Sequence, residues 1–148
     1  MKEIDKSEID KIEKELIRYY RYKNNISKLE KRAEGLKNNI RIIEMDIEEC
    51  KGVFDPVELE KEKILTYRKY MKTKAKIRQQ KSFIEYMDLN IEGLNQERKK
   101  LLELQYNKNL YVTEMARRLN MGVSTFYTIK HDTLRNILDF QKMQKGII

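Results

Sequence analysis

Apolar residues recur along this chain at helical spacing almost from end to end, in blocks separated by short polar breaks. In the first block, from residue 4 to about residue 50, Ile9, Ile12, Leu16, Tyr19 and Ile26 are followed by Leu29, Ala33, Leu36, Ile40, Ile43 and Ile47. The second series steps by four and three, a heptad seam that implies knobs-into-holes packing against another helix. The first keeps that step with Lys23 in register, and the three-residue step from Ile26 to Leu29 is a stammer that overwinds the seam locally. One helix of this length spans roughly 70 Å at 1.5 Å per residue. Gly35 lies inside it at a cost of about 1 kcal/mol relative to Ala, which points to a bend or a close helix approach there.

The clearest break is residues 51–56, which hold Gly52, Asp55 and the only proline, Pro56. Asp55 is suited to cap a new helix, with Pro56 at its first position and Glu58 and Glu60 in the favourable first turn. A second long helix is therefore predicted from residue 56 to about residue 90. Its seam is less regular: Leu59, Ile64, Tyr67, Met71, Ala75, Ile77, Ile84, Met87, Ile91 and Leu94. A short link between two helices of similar length predicts an antiparallel hairpin, which a second chain could complete into a four-helix bundle. The expectation is a homodimer, with residues 1–94 as a coiled-coil oligomerisation region.

Around Gly93 and Asn95 the pattern resets. Residues 96–106 read as the first helix of a C-terminal module, with Leu101, Leu102 and Leu104 inward, and residues 107–111 as a link. Next, Met115, Ala116 and Leu119 fall on one face of a short helix, Asn120, Met121 and Gly122 interrupt it, and Phe126, Ile129, Leu134 and Ile137 resume the stripe. Ala116 is small where the two helices would cross, while Met121 and Phe126 supply an apolar plug that fixes their angle. Such spacing fits a helix-turn-helix with its recognition helix, and equally any other helical hairpin. The tail, residues 140–148, continues the last helix and frays near Gly146. The fold class is thus all-α: a long N-terminal antiparallel helical hairpin (coiled coil) followed by a C-terminal helix-turn-helix module over residues 95–148.

The stretch 114–137 resembles the region 4 helix-turn-helix of sigma-70 type factors, with Glu114, Met115, Ala116, Leu119, Ser124, Thr125, Tyr127 and Leu134 in matching places. Upstream, Ile91, Leu94, Glu97, Arg98, Leu101, Leu102, Leu104 and Tyr106 are similar to the run that precedes this motif in the phage-type transcriptional regulators called ArpU and RinA. The close likeness covers about the last third of the chain; the front two-thirds is similar only in being charged, helical and Tyr-rich. The resemblance implies a transcriptional regulator that binds double-stranded DNA. The chain departs from the pattern at Gly122, where the family usually has the Ser that caps the recognition helix, so the cap falls to backbone geometry or Ser124. Tyr111 replaces the Ser of the usual capping box, leaving Asn109 or Thr113 to serve. Thr128 and Asp132 stand where family members often carry Arg, which makes the helix less basic.

Composition narrows the classes. Of 148 residues 38% are charged and 40% hydrophobic, and five Gly with one Pro argue for long helices and against a β-rich fold. With no run of 18 or more apolar residues and no N-terminal apolar h-region, the expected location is the cytoplasm, not a membrane or the exterior. Cys50 is the only cysteine and His131 the only histidine. That excludes an intrachain disulfide and a Cys-based zinc site, so no metal or cofactor is expected. Cys50 reads as a semi-buried helix-end thiol, with a redox sensor as the alternative. Lacking a Gly-rich phosphate loop or a Ser, His and Asp set, the chain is not expected to be an enzyme, and paired carboxylates such as Glu48 and Glu49 read as surface charge.

A net charge of +8 points toward a polyanion. Residues 1–94 carry 22 basic and 19 acidic side chains and residues 95–148 carry 10 and 5, so the C-terminal field is less self-cancelled. Basic residues between Lys61 and Lys81, with Tyr67, Tyr70 and Phe83 interleaved, read either as a second nucleic-acid surface or as a solvated helix face.

In a helix-turn-helix the start of the second helix faces the major groove and the first helix crosses the backbone. That selects Val123, Ser124, Thr125, Tyr127, Thr128 and His131 for base edges or nearby sugar and phosphate. Lys130, Arg135, Arg117 and Arg118 are better placed for phosphate. Three functions compete: a sequence-specific transcription regulator of phage or prophage type, a DNA-packaging adaptor such as a small terminase subunit, and a structural coiled-coil protein whose C-terminal bundle docks on a protein. A sigma-like contact with RNA polymerase stays open.

Overall fold

The structure, a computed structural model, describes residues 2–49 and 55–147, with side chains over residues 6–49 and 55–146. Cys50 and residues 51–54, including Gly52, lie outside the described residues. Five α-helices and no strand occur among those described: α1 (Lys2–Glu49), α2 (Pro56–Ile91), α3 (Gln96–Leu102), α4 (Val112–Arg118) and α5 (Val123–Ile147). A π-helical turn, Glu103–Asn107, extends α3 directly. The chain divides into two compact units, residues 1–23 with 83–148 and residues 24–82.

The smaller unit is made of the C-terminal half of α1 and most of α2. Asp55 accepts a hydrogen bond from the Val57 amide at 3.0 Å and so caps α2, with Pro56 in the first turn where its missing N–H costs nothing. Lys81 meets Glu30 at 4.0 Å and Lys63 meets Glu44 at 3.5 Å, an order that only antiparallel helices allow. Leu29 and Ala33 of α1 pack on Ile77 of α2, flanked by Ile26 and Tyr70. The α1 seam is as the spacing predicts: Leu29, Ala33 and Ile43 are buried and Ile26, Leu36, Ile40 and Ile47 partly so.

The α2 seam differs from expectation. Ile64, Tyr67, Met71 and Ala75 are exposed, and the row that loses exposure is Leu59, Lys63, Thr66, Tyr70, Thr73, Ile77 and Gln80. This row is itself a regular four-three series; it keeps Leu59 and Ile77 of the predicted seam and is displaced by one or two residues between them. Thr66 and Thr73 enter it by bonding their hydroxyls to the carbonyls four residues back, at 2.9 Å each, which hides their polarity. A Cβ built at Gly35 meets nothing within 4 Å and α1 runs unbroken through it, so no close helix approach explains that glycine.

The larger unit has one core. Ile9, Ile12, Leu16, Tyr19 and Tyr20 of α1 and Met87 and Ile91 of α2 pack with Leu101, Leu102, Leu104, Met115, Phe126, Leu134 and Ile137. The start of α1, expected to serve the oligomerisation region, therefore shares its core with the C-terminal helices. Asn95 caps α3 by accepting from the Arg98 amide at 2.9 Å. Leu101 and Leu102 at the end of α3 and Leu104 in the π turn all face inward.

Polar stitches join α1 to the rest of this unit. Glu13 accepts from the Tyr106 hydroxyl at 2.6 Å and lies 3.7 Å from the Lys130 ammonium. Gln141 donates to Glu15 at 3.1 Å, and Lys142 pairs with Glu8 at 2.7 Å. Burial, first of all, and then the neighbouring carboxylates push the phenols of Tyr19 (beside Asp88), Tyr20 (beside Glu103 and Asp88) and Tyr106 (beside Glu13) well above their ordinary range. No helix among the described residues is long and apolar enough to cross a membrane.

Candidate nucleic-acid interface

The corner between α4 and α5 follows from three residues. Asn120 takes a left-handed conformation, φ 55°, which Asn tolerates better than most side chains. Its amide donates to the Arg117 carbonyl at 3.1 Å and the Met121 amide donates to the Ala116 carbonyl at 3.0 Å. These two bonds are the Schellman arrangement that closes a helix C-terminus. Gly122 then stands at the N-cap of α5, its carbonyl accepting from the Phe126 amide at 2.9 Å. The α4 cap differs from expectation: neither Asn109 nor Thr113 serves, because Tyr111 holds the N-cap position without a side-chain bond. Asn109 instead turns the chain at φ 54°.

Inside the corner, Met115, Ala116 and Leu119 are buried on α4, and Phe126, Thr133, Leu134 and Ile137 on α5, with Met121 packed against them. Thr133 loses its polarity by bonding to the Ile129 carbonyl at 2.7 Å. With that side of α5 sealed, the opposite side of its first turns is left out. Val123, Ser124, Thr125, Tyr127, Thr128 and His131 are all exposed, and Ser124, Thr128 and His131 succeed one another along one face at helical spacing. The Tyr127 ring stands edge-on to buried Phe126, centroids 5.7 Å apart, which steadies it. Thr128 spends its hydroxyl proton on the Ser124 carbonyl at 3.2 Å and keeps its oxygen as an acceptor.

The expected phosphate contacts have other company. Arg117 grips Glu114 with two bonds of 2.9 and 2.6 Å, and Arg118 reaches the same carboxylate at 3.1 Å. Hydrogen bonds from Arg117 and then Arg118 hold the Glu114 carboxyl at about 2, well below the usual range, and the same pairing raises Arg117. A phosphate would therefore share these guanidiniums with Glu114, at the water-facing end of α4. Lys130 is partly buried against Glu13, and Arg135 is partly buried as well. Asp132 is exposed next to the His131 row and opposes a phosphate there.

One cation escaped the sequence reading. Lys100 of α3 places its ammonium 3.5 Å from the Arg118 carbonyl, beside the negative end of α4. Nothing local in the sequence marks it, because the approach depends on how α3 packs. Glu114 was not foreseen as a competitor either, although the signal was there: Arg117 and Arg118 follow it by three and four residues, the spacing at which charges on one helix pair. No family model, no curated protein and no solved structure matches this chain.

Proposed function

We propose that the protein is a sequence-specific regulator of transcription of phage or prophage type, that α4, its turn and α5 act as a helix-turn-helix, and that it works on duplex DNA in the cytoplasm. One observation carries the reading: α5 begins with two turns whose apolar side is sealed and whose other side offers hydroxyls, a phenol and an imidazole to solvent. Seated in a major groove, such a helix presents Ser124, Thr125, Thr128 and His131 to base edges, with Tyr127 beside the sugar-phosphate wall. Arg117, Arg118 and Lys100 at the end of α4 take the adjoining phosphates and fix the register.

The likeness of residues 114–137 to the sigma-type motif and the surplus of positive charge in residues 95–148 support the same reading. Hydroxyls and one imidazole discriminate bases less than a bidentate Arg or Asn, worth about 1 to 3 kcal/mol per pair. Two copies joined through the N-terminal helices would make up the difference by raising effective concentration.

The test is selection of bound fragments from random duplex DNA, followed by titration at several salt concentrations. A recovered consensus and a steep loss of affinity with salt are expected. Tyr127→Ala with His131→Ala removes preference for that consensus while helicity stays unchanged, because neither side chain is in the core. Salt-insensitive binding, or a consensus that survives both changes, refutes the assignment.

A further inference from the structure

The α2 helix carries two parallel rows, and the more apolar one faces away from α1. Val57, Ile64, Tyr67 and Met71 are 72%, 51%, 52% and 46% exposed, while the row against α1 spends three of its places on Thr66, Thr73 and Gln80. The exposed row keeps a seven-residue repeat at Val57, Ile64 and Met71, the spacing of a helix seam that lacks its other half. A depression on α2 runs along it from Val57 past Ile64 to Arg68. Charge decides what fits. The first turns of α2 carry exposed Glu58, Glu60 and Glu62, and the turns after Ile64 carry exposed Arg68, Lys69, Lys72 and Lys74.

We infer that the exposed row of α2 is the face on which two copies of this chain pair, antiparallel, about a two-fold axis at Ile64. That register sets Ile64 against Ile64 of the second copy, Val57 against its Met71 and Glu60 against its Arg68, each contact made twice as an isologous interface requires. Lys61 falls opposite Tyr67, where an ammonium can lie over the ring. A parallel pairing would instead stack Glu60 on Glu60 and Arg68 on Arg68, which like charges oppose. The inference deepens the pairing of chains put forward above by naming its surface; the DNA-binding reading stands apart from it.

The full chain is measured in solution without DNA, so the outcome does not depend on that reading. Light scattering at tens of micromolar gives a dimer. Ile64→Lys, on an exposed position that leaves the fold intact, raises the dissociation constant about tenfold or more, since two apolar side chains leave the axis together. Glu60→Arg also weakens pairing, and Glu60→Arg with Arg68→Glu restores it. In a Cys50→Ser background, Ile64→Cys cross-links to itself on mild oxidation. Val57→Cys does not, being about 20 Å from its own copy at 1.5 Å per residue, but it does cross-link to a chain carrying Met71→Cys. A monomeric parent chain, a dimer unmoved by Ile64→Lys, failure of the charge swap to rescue, or self-cross-linking at Val57→Cys each overturns the inference.

Discussion

Tyr111 occupies the position before α4 where a short polar side chain would normally accept from the second or third amide of the helix. It is 87% exposed, so its ring adds little to the core. Tyr111→Ser places Ser three residues ahead of Glu114, the spacing of a capping box, and is expected to raise stability by about 1 kcal/mol. Thermal unfolding checks this, and a lowered midpoint would mean that the tyrosine ring is engaged after all. At this scale the apolar plug and the exposed row of α5 were both legible, because burial follows helical period. The ion pairs were legible only where both partners share a helix. Glu114 with Arg117 and Arg118 meets that condition; Glu13 with Lys130 and Tyr106 does not, since it exists only once α1 has packed beside α5 and the π turn.

At the scale of elements, the seam of α1 was legible because its strongest apolar row is also the row it buries. The α2 helix shows where that rule stops. When a helix carries two candidate rows, period alone does not say which one a given neighbour covers, and here α1 takes the row with Thr66, Thr73 and Gln80. The breaks were legible for a different reason: Asp55, Asn95 and Asn120 each act through a hydrogen bond or backbone conformation fixed by residue type. Gly35 is the converse case. Its type predicts a packing role, yet the space around it is open, so the residue contributes only its helix penalty. Gly35→Ala is therefore expected to stabilise the chain by about 1 kcal/mol in chemical denaturation with no change in mass. A destabilised variant would show that α1 is approached closely or bent at that point in solution.

At the scale of the whole molecule, the two units rest on different chemistry. Among the described residues of the smaller unit, Leu29, Ala33, Ile43, Thr73, Ile77 and Gln80 are buried, whereas the larger closes a core around Leu16, Met87, Leu101, Met115, Phe126 and Ile137. Buried phenols line that core, and they give it a titration of its own. Tyr20 and Tyr106 are held protonated well above pH 10, chiefly because burial disfavours the phenolate. The same groups ionise near pH 10 in an unfolded chain. Below pH 10 both states keep the proton and the contribution to stability is whole; above it the unfolded chain releases a proton that the fold retains. Each such phenol then shifts the equilibrium toward unfolding by about tenfold per pH unit, until the pH reaches its folded value. The informative quantity is a difference between two chains. Tyr20→Phe removes one phenol whose shift comes first from burial, so from just above pH 10 the unfolding equilibrium of that variant should rise less than the parent's, by about one factor of ten for each pH unit. Denaturant titrations from pH 8 to pH 11 measure both slopes, and equal slopes would place the Tyr20 hydroxyl in water, opening the core that α1 and α5 are built around.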